Sequence, residues 1–374
     1  MISTNKEDAI FKSINSLRRL APRWVLLAAF LALAGCSERE IVDIDYLCTP
    51  QTALDIVCGL QSPEDAEWLP DGSGLIISEY GAMGETEGRL TLMEIDSHRL
   101  TYLYDSQNVR ANVTGNLWGD AECQESSYFS PHGISLSQRP SGRWQLLVVN
   151  HAEVETIEFF ELKQIEEHWF VEWRGCVEAD DDSLFNDVTA AARGFYVTRF
   201  AARGSTTGVI LDYLFKRKGG IVKRWSIDKD WETLEDTAGT MLNGILWNAD
   251  ANELVVNQWG NSRVAIYDGK GNKKREFKYS FPDNVSWDGA RKNYLIASKG
   301  GSFYANAKCT LQLPEHCSQP FSIVEITPNS DDSKIKYESD GRFFGASTNA
   351  VEKDGKLYIG SFTGSRLLIA DVHD

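Results

Sequence analysis

The stretch Pro131-His132-Gly133-Ile134-Ser135-Leu136-Ser137-Gln138-Arg139-Pro140-Ser141-Gly142-Arg143-Trp144-Gln145-Leu146-Leu147-Val148-Val149-Asn150-His151 reads as one β-hairpin. The turn-prone Arg139-Pro140-Ser141-Gly142 separates an entering strand from the apolar run Leu146 to Val149, and turn residues between apolar runs are a hairpin signal. His132 therefore enters one strand and His151 leaves the next, at the same end of the sheet. Two imidazoles on one rim form a candidate proton-transfer pair, because histidine is the side chain whose ordinary pKa lies nearest neutral pH.

Outward from this hairpin the same unit recurs. Short runs rich in Val, Ile, Leu, Tyr and Phe occur at Leu75 to Ser78, Leu146 to Asn150, Phe195 to Thr198, Leu254 to Asn257, Tyr294 to Ser298 and Leu357 to Ser361, between Gly, Asp and Asn turns. Alternating second strands follow, such as Thr156 to Leu162, Val264 to Tyr267, Ser322 to Ile326 and Leu367 to Ala370. Six units emerge, and helical periodicity is nearly absent after residue 64. Strands at regular intervals with turn signals predict an all-β fold closed by repetition, a six-bladed β-propeller over residues 62–374. The segment Ala53 to Cys58 is expected to close the ring with Leu357 to Asp371.

Before each unit stand small polar or charged residues: Glu64-Asp65, His132-Gly133, Asn186-Asp187, Asn243-Gly244, Asp283-Asn284 and Ser347-Thr348-Asn349. In a propeller the innermost strand of every blade starts at the same face around the central channel, so these clusters converge. Glu64, Asn186, Asn243, Asp283 and Asn284 offer carboxylate and amide oxygens and no soft donor, which suits calcium better than magnesium. Asp65 and Asp187 point the other way by the period of two, toward the channel interior. With a carbonyl such as that of Ile134 they form a candidate for a second, deeper ion joining blades.

Residues 1–35 read as an address. Lys12, Arg18, Arg19 and Arg23 precede an apolar stretch from Trp24 to Ala34, shorter than the roughly twenty residues of a membrane span and fitting a secretory leader. The ending Leu33-Ala34-Gly35-Cys36 resembles a bacterial lipoprotein signal, in which Cys36 is lipidated and becomes the new N-terminus. Ser37 rather than aspartate favours outer-membrane sorting. Residues 36–61 are then a lipidated linker with the ring-closing strand, and the protein is expected in the cell envelope, anchored by lipid and facing the periplasm.

The net charge is −16, and removing residues 1–35 takes away five basic and two acidic side chains, leaving 33 minus 52, or −19. Such a surface repels phosphate backbones, which argues against nucleic-acid binding. With Cys36 assigned to lipid, six cysteines remain, an even count that reads as disulfides in an oxidising compartment. Six thiols allow fifteen connectivities. The local pairs Cys48 with Cys58 and Cys309 with Cys317 would leave Cys123 with Cys176. No cysteine and histidine cluster has zinc spacing.

From about Ser62 to Ile369 the chain resembles the calcium-dependent paraoxonase/arylesterase family of six-bladed propeller lactonases. The resemblance is carried by Pro63-Glu64-Asp65, Pro131-His132-Gly133-Ile134-Ser135, Leu147-Val148-Val149-Asn150-His151, Asn186-Asp187-Val188, Asn243-Gly244-Ile245, Asp283-Asn284-Val285-Ser286 and Gly355-Lys356-Leu357-Tyr358-Ile359-Gly360, all in order. It implies two calcium ions: a catalytic one on Glu64, Asn186, Asn243, Asp283 and Asn284, and a structural one on Asp65, Asp187 and the Ile134 carbonyl. His132 and His151 would be the catalytic histidines, and lactones or aryl esters the small-molecule substrates.

The chain departs from the family in places. Vertebrate members join the N-terminal segment to the last strand by a disulfide, but Arg366 to Asp374 contains no cysteine. Where the family commonly shows an Asn-Asp-His run, this chain reads Arg199-Phe200-Ala201, which places a cation near the pocket; Met241-Leu242 and Asn349 also replace different wall residues. No Gly-x-Ser-x-Gly elbow supports a serine hydrolase. The alternatives are a gluconolactonase-like sugar lactonase, and a noncatalytic propeller displaying a ligand or partner surface.

Overall fold

The computed structural model describes Cys48 and residues 55–107, 117–204, 206–311 and 317–372. The leader of residues 1–35, the lipidation site Cys36 and most of the linker 36–61 lie outside the described residues. Six four-stranded antiparallel sheets form the predicted propeller. Blade 1 is β2 (Pro63–Trp68), β3 (Gly74–Glu79), β4 (Arg89–Glu94) and β5 (Leu100–Asp105). Blade 2 is β6 (Pro131–Gln138), β7 (Trp144–His151), β8 (Glu155–Ile165) and β9 (His168–Glu178). Blade 3 is β10 (Ser183–Ala191), β11 (Gly194–Ala202), β12 (Gly220–Ser226) and β13 (Asp230–Gly239). Blade 4 is β14 (Leu242–Asn248), β15 (Glu253–Gln258), β16 (Arg263–Tyr267) and β17 (Lys273–Phe277). Blade 5 is β18 (Pro282–Trp287), β19 (Tyr294–Lys299), β20 (Phe321–Ile326) and β21 (Ser333–Ser339). Blade 6 is β22 (Ser347–Lys353), β23 (Lys356–Ser361), β24 (Arg366–Asp371) and, as its outer strand, β1 (Asp55–Cys58).

Ring closure follows the sequence expectation. β1 pairs with β24 from Asp55 opposite Ile369 to Cys58 opposite Arg366. One strand from the front of the chain thus completes the last blade as its fourth, outer strand and ties the two ends of the ring together. Two nine-residue helices, α1 (Thr206–Leu214) and α2 (Phe303–Leu311), were not legible in the sequence. They are brief excursions between strands of blades 3 and 5, too short for periodicity to register. Among the described residues no helix is long and apolar enough to cross a membrane.

Period-two alternation makes both faces of each blade apolar, and each face packs on a neighbour. Leu146 and Val148 of β7 join the cluster against blade 1, whereas Leu147 and Val149 join the cluster against blade 3. Corresponding clusters fill the remaining four junctions around the ring. Burial is therefore continuous, and stability is shared between neighbours instead of residing in a separable half.

The disulfides are Cys48–Cys58, Cys123–Cys176 and Cys309–Cys317, as the local pairing predicted. Cys123–Cys176 pins the loop before β6 to the outer strand of blade 2. Trp118 of that loop is buried beneath the guanidiniums of Arg139, Arg143 and Arg174, and its N–H donates to the Arg174 carbonyl at 2.7 Å. The bond spans 53 residues, so loop-closure entropy makes it worth about 4 kcal/mol. Replacing both cysteines with Ala should lower the unfolding free energy by up to that amount in urea titrations. A loss below about 1 kcal/mol would show that the unfolded chain is not released by opening the loop.

Candidate active site

The inner strand of every blade carries a β-bulge at the same place. Register shifts fall between Pro63 and Asp65, Pro131 and Ile134, Phe185 and Val188, Leu242 and Ile245, Pro282 and Val285, and Ser347 and Asn349. An extra residue at a bulge bends the strand and re-aims its side chains. Strict alternation would separate neighbours onto opposite faces; the bulges let consecutive residues such as Asp283 and Asn284 serve the channel together. Gly133 and Gly244 are required here, because a Cβ on either would lie within 2.6 Å of the next blade's backbone.

Glu64, Asn186, Asn243, Asp283 and Asn284 are all buried near the starts of the inner strands of blades 1, 3, 4 and 5. Glu64 Oε2, Asn186 Oδ1, Asn243 Oδ1 and Asn284 Oδ1 have no hydrogen-bond partner among the described residues. Buried oxygens left unpaired cost free energy, and these four, on four different blades, are hard donors of the kind a cradle for a calcium ion would use. Asn284 is oriented by donating from Nδ2 to Glu64 Oε1 at 2.9 Å. The fifth member, Asp283, has its Oδ2 in an ion pair with the Lys299 ammonium. No group of three or more His, Cys, Asp or Glu side chains with a metal-holding arrangement occurs among the described residues, since three of these five donors are amides. The donor chemistry fits calcium.

Beside this set lies the histidine pair. His132 Nδ1 and His151 Nε2 are 2.9 Å apart, and His151 Nδ1 is 2.8 Å from Glu155 Oε2. Glu155 was not singled out from the sequence, although the hairpin register that pairs His151 with Glu155 could have found it. A carboxylate accepts from His151 Nδ1–H, which leaves Nε2 as an acceptor for His132 Nδ1–H. The free lone pair is then on His132 Nε2, 3.4 Å from Glu64 Oε1. Tyr80 packs against the His132 ring at a centroid distance of 4.8 Å and fixes its plane.

The deeper pair behaves differently. Asp65 Oδ2 accepts from Ile134 N–H at 2.9 Å, and its Oδ1 from Ala66 N–H at 2.9 Å and Asn349 Nδ2 at 3.1 Å. Asp187 accepts from Val188 N–H at 2.7 Å and Ile245 N–H at 2.8 Å. Ile134 meets Asp65 through its amide N–H. Both carboxylates also line a cavity of about 750 Å³ that occupies the channel on the side away from the histidines. Asn349 is a brace between Asp65 and Gly360 N–H instead of a pocket wall, and Leu242 packs in the junction between blades 3 and 4. Arg199 turns toward Asp181, 3.7 Å away; the cation that sits against the cluster is Lys299.

Burial dominates the electrostatics of both sets. Burial pushes Glu64 up to about 7, opposed by the Asn284 hydrogen bond and the Lys299 charge. Burial and the Glu64 charge push Asp65 up to about 7, and burial with the Asp65 charge raises Asp187 well above the ordinary value. Asp283 is raised by burial despite Lys299. Desolvation and the neighbouring His151 hold His132 well below the usual imidazole value, which favours its neutral form. The four buried carboxylates lie near one buried ammonium, Lys299, an imbalance that bound cations would relieve.

A raised carboxyl contributes stability below its unfolded pKa and loses it as pH rises through the native one. In excess chelator the thermal midpoint should therefore fall between about pH 4 and pH 7, with a smaller fall in Asp187→Asn, and added calcium should reverse it. Equal falls in both proteins would exclude the buried pair as the cause.

A family model described as arylesterase matches residues 53–369. No curated protein sequence matches the chain. Among solved structures, a luciferin-regenerating enzyme is 11% identical with a TM-score of 0.49, covering 86% of this chain and 95% of that one. A streptogramin B lyase is 12% identical with a TM-score of 0.47, covering 86% and 97%. An oligogalacturonate lyase from Vibrio parahaemolyticus is 10% identical with a TM-score of 0.43, covering 83% and 72%.

Proposed function

Because the chain belongs to the arylesterase family, we propose that it is a calcium-dependent hydrolase of lactones and aryl esters, with His132 as general base and His151 as its relay. The observation that carries this reading is the cradle of unpaired oxygens lying next to a histidine pair whose tautomers leave His132 Nε2 free. Glu64, Asn186, Asn243, Asp283 and Asn284 would hold the catalytic ion. Calcium bound there supplies Lewis-acid polarisation of the ester carbonyl and stabilises the oxyanion.

The remaining work falls to side chains. His132 Nε2 takes a proton from the attacking water, while its Nδ1–H strengthens its bond to His151 Nε2. As positive charge spreads along the pair, Glu155 at 2.8 Å stabilises it from the far side. Burial of both rings keeps bulk water from competing for these bonds. Asp65 and Asp187 would hold the second ion, and by accepting from the Ile134 and Ile245 N–H groups they tie blade 1 to blade 2 and blade 3 to blade 4.

A panel of lactones, aryl esters and phosphotriesters, each with calcium and with chelator, tests the proposal. The expected result is turnover of carbonyl esters that chelation abolishes and calcium restores. Inactivity on every carbonyl ester would overturn it. We further propose that Cys36 carries a lipid that keeps the enzyme at the envelope membrane, where apolar esters concentrate. Labelled palmitate should enter the wild type and be absent from Cys36→Ala; label retained by the variant would move the acceptor elsewhere.

A further inference from the structure

Lys299 ends β19 in a position with a counterpart elsewhere in the ring. In blade 2, Pro131 pairs with Asn150 and the next residue is His151, which meets His132; in blade 5, Pro282 pairs with Ser298 and the next residue is Lys299, which meets Asp283. The lysine is 6% exposed, and its backbone N–H donates to the Phe281 carbonyl at 3.2 Å, which fixes the strand end that carries it. Its ammonium contacts Asp283 Oδ2 and lies 4.1 Å from the centroid of the Phe362 ring. A monovalent cation thus occupies one oxygen of the five-residue cradle, and it is supplied by the chain itself.

Resting on the calcium reading of that cradle, we propose that Lys299 sets the affinity of the upper site, by holding Asp283 in the metal-free protein and giving up that contact when calcium binds. An ammonium and a divalent ion against the same carboxylate repel, so binding requires the lysine to withdraw. The Phe362 ring, already 4.1 Å from the ammonium, would keep attracting it as the Asp283 contact lengthens, because a ring quadrupole favours a cation. Lys299 also makes the empty cradle tolerable: it neutralises one of the two carboxylates there, Glu64 and Asp283. The deeper pair, Asp65 and Asp187, has no such substitute.

Calorimetric titration of full-length protein with calcium chloride tests this, using wild type, Lys299→Met and Lys299→Arg at one pH and ionic strength. The upper-site event is identified as the one that Glu64→Gln removes. Lys299→Met keeps the length and removes the charge, so it should bind the upper calcium about tenfold tighter or more, whereas Lys299→Arg should stay near wild type. In an Asp283→Asn background the effect of Lys299→Met should vanish, because the contact it relieves is gone. Should Lys299→Met fail to fold by circular dichroism, Lys299→Gln takes its place with the same expectation. A folded, uncharged variant with unchanged or weaker upper-site affinity overturns the proposal and leaves the calcium reading intact. No calcium uptake by any of these proteins overturns both.

Discussion

His132→Gln is expected to lower kcat/KM for lactones by about two to four orders of magnitude, with calcium affinity nearly unchanged. Glutamine keeps a polar side chain of similar reach and cannot take a proton, so the loss should appear in kcat rather than in KM. His132 is well placed for this role because its partner chain is directional: Glu155 orients His151, and His151 orients His132. His151→Gln should cost less, since water can partly replace a relay. Depression of the His132 pKa by burial and by His151 gives the sign of the pH effect. The base stays deprotonated to lower pH, so the acid limb of wild-type kcat/KM should lie below the ordinary imidazole value of 6.5 and disappear in the variant. Steady-state kinetics across pH check both points. Undiminished turnover by a folded His132→Gln protein with calcium bound would remove the histidine pair from the chemistry.

Glu64→Gln should be nearly as damaging, by a different route. Its Oε2 is one of the unpaired oxygens, and the substitution removes one of the two carboxylates in the upper cradle and can turn an amide N–H toward the ion. Loss of even an outer-shell partner typically weakens metal sites 10 to 100-fold, so loss of this ligand should weaken upper-site calcium by about 100-fold or more. Turnover at low calcium should fall in parallel and recover partly at high calcium. That recovery separates it from His132→Gln, which no calcium concentration should rescue. Calcium titrations of rate and of bound metal on the same preparation give the answer, and a variant with wild-type affinity would move the ion away from Glu64.

Much of this was legible in the chain because propeller blades are local. Each inner and second strand announces itself by apolar alternation between turns, and repetition around the ring gave the polar starts of the inner strands a common destination. Three features escaped for physical reasons. The bulges have no compositional signature apart from close-packed glycines such as Gly133, so the joint service of Asp283 and Asn284 depended on a break in alternation that the residues do not advertise. Glu155 lies in Glu153-Val154-Glu155, which reads as a solvated turn until the pairing of His151 with Glu155 is drawn. Lys299 precedes Gly300-Gly301 and resembles a strand end; only superposing blade 5 on blade 2 turns it inward. Arg199, expected to place a cation near the pocket, turns toward Asp181 instead.

The most direct measurement is the initial rate of hydrolysis of one lactone and one aryl ester by the full-length protein as free calcium is stepped through a buffered series. The account predicts negligible turnover in chelator, recovery on adding calcium, and a rate that follows upper-site occupancy along one curve. Turnover that persists at full rate in protein shown by elemental analysis to hold no metal would contradict it.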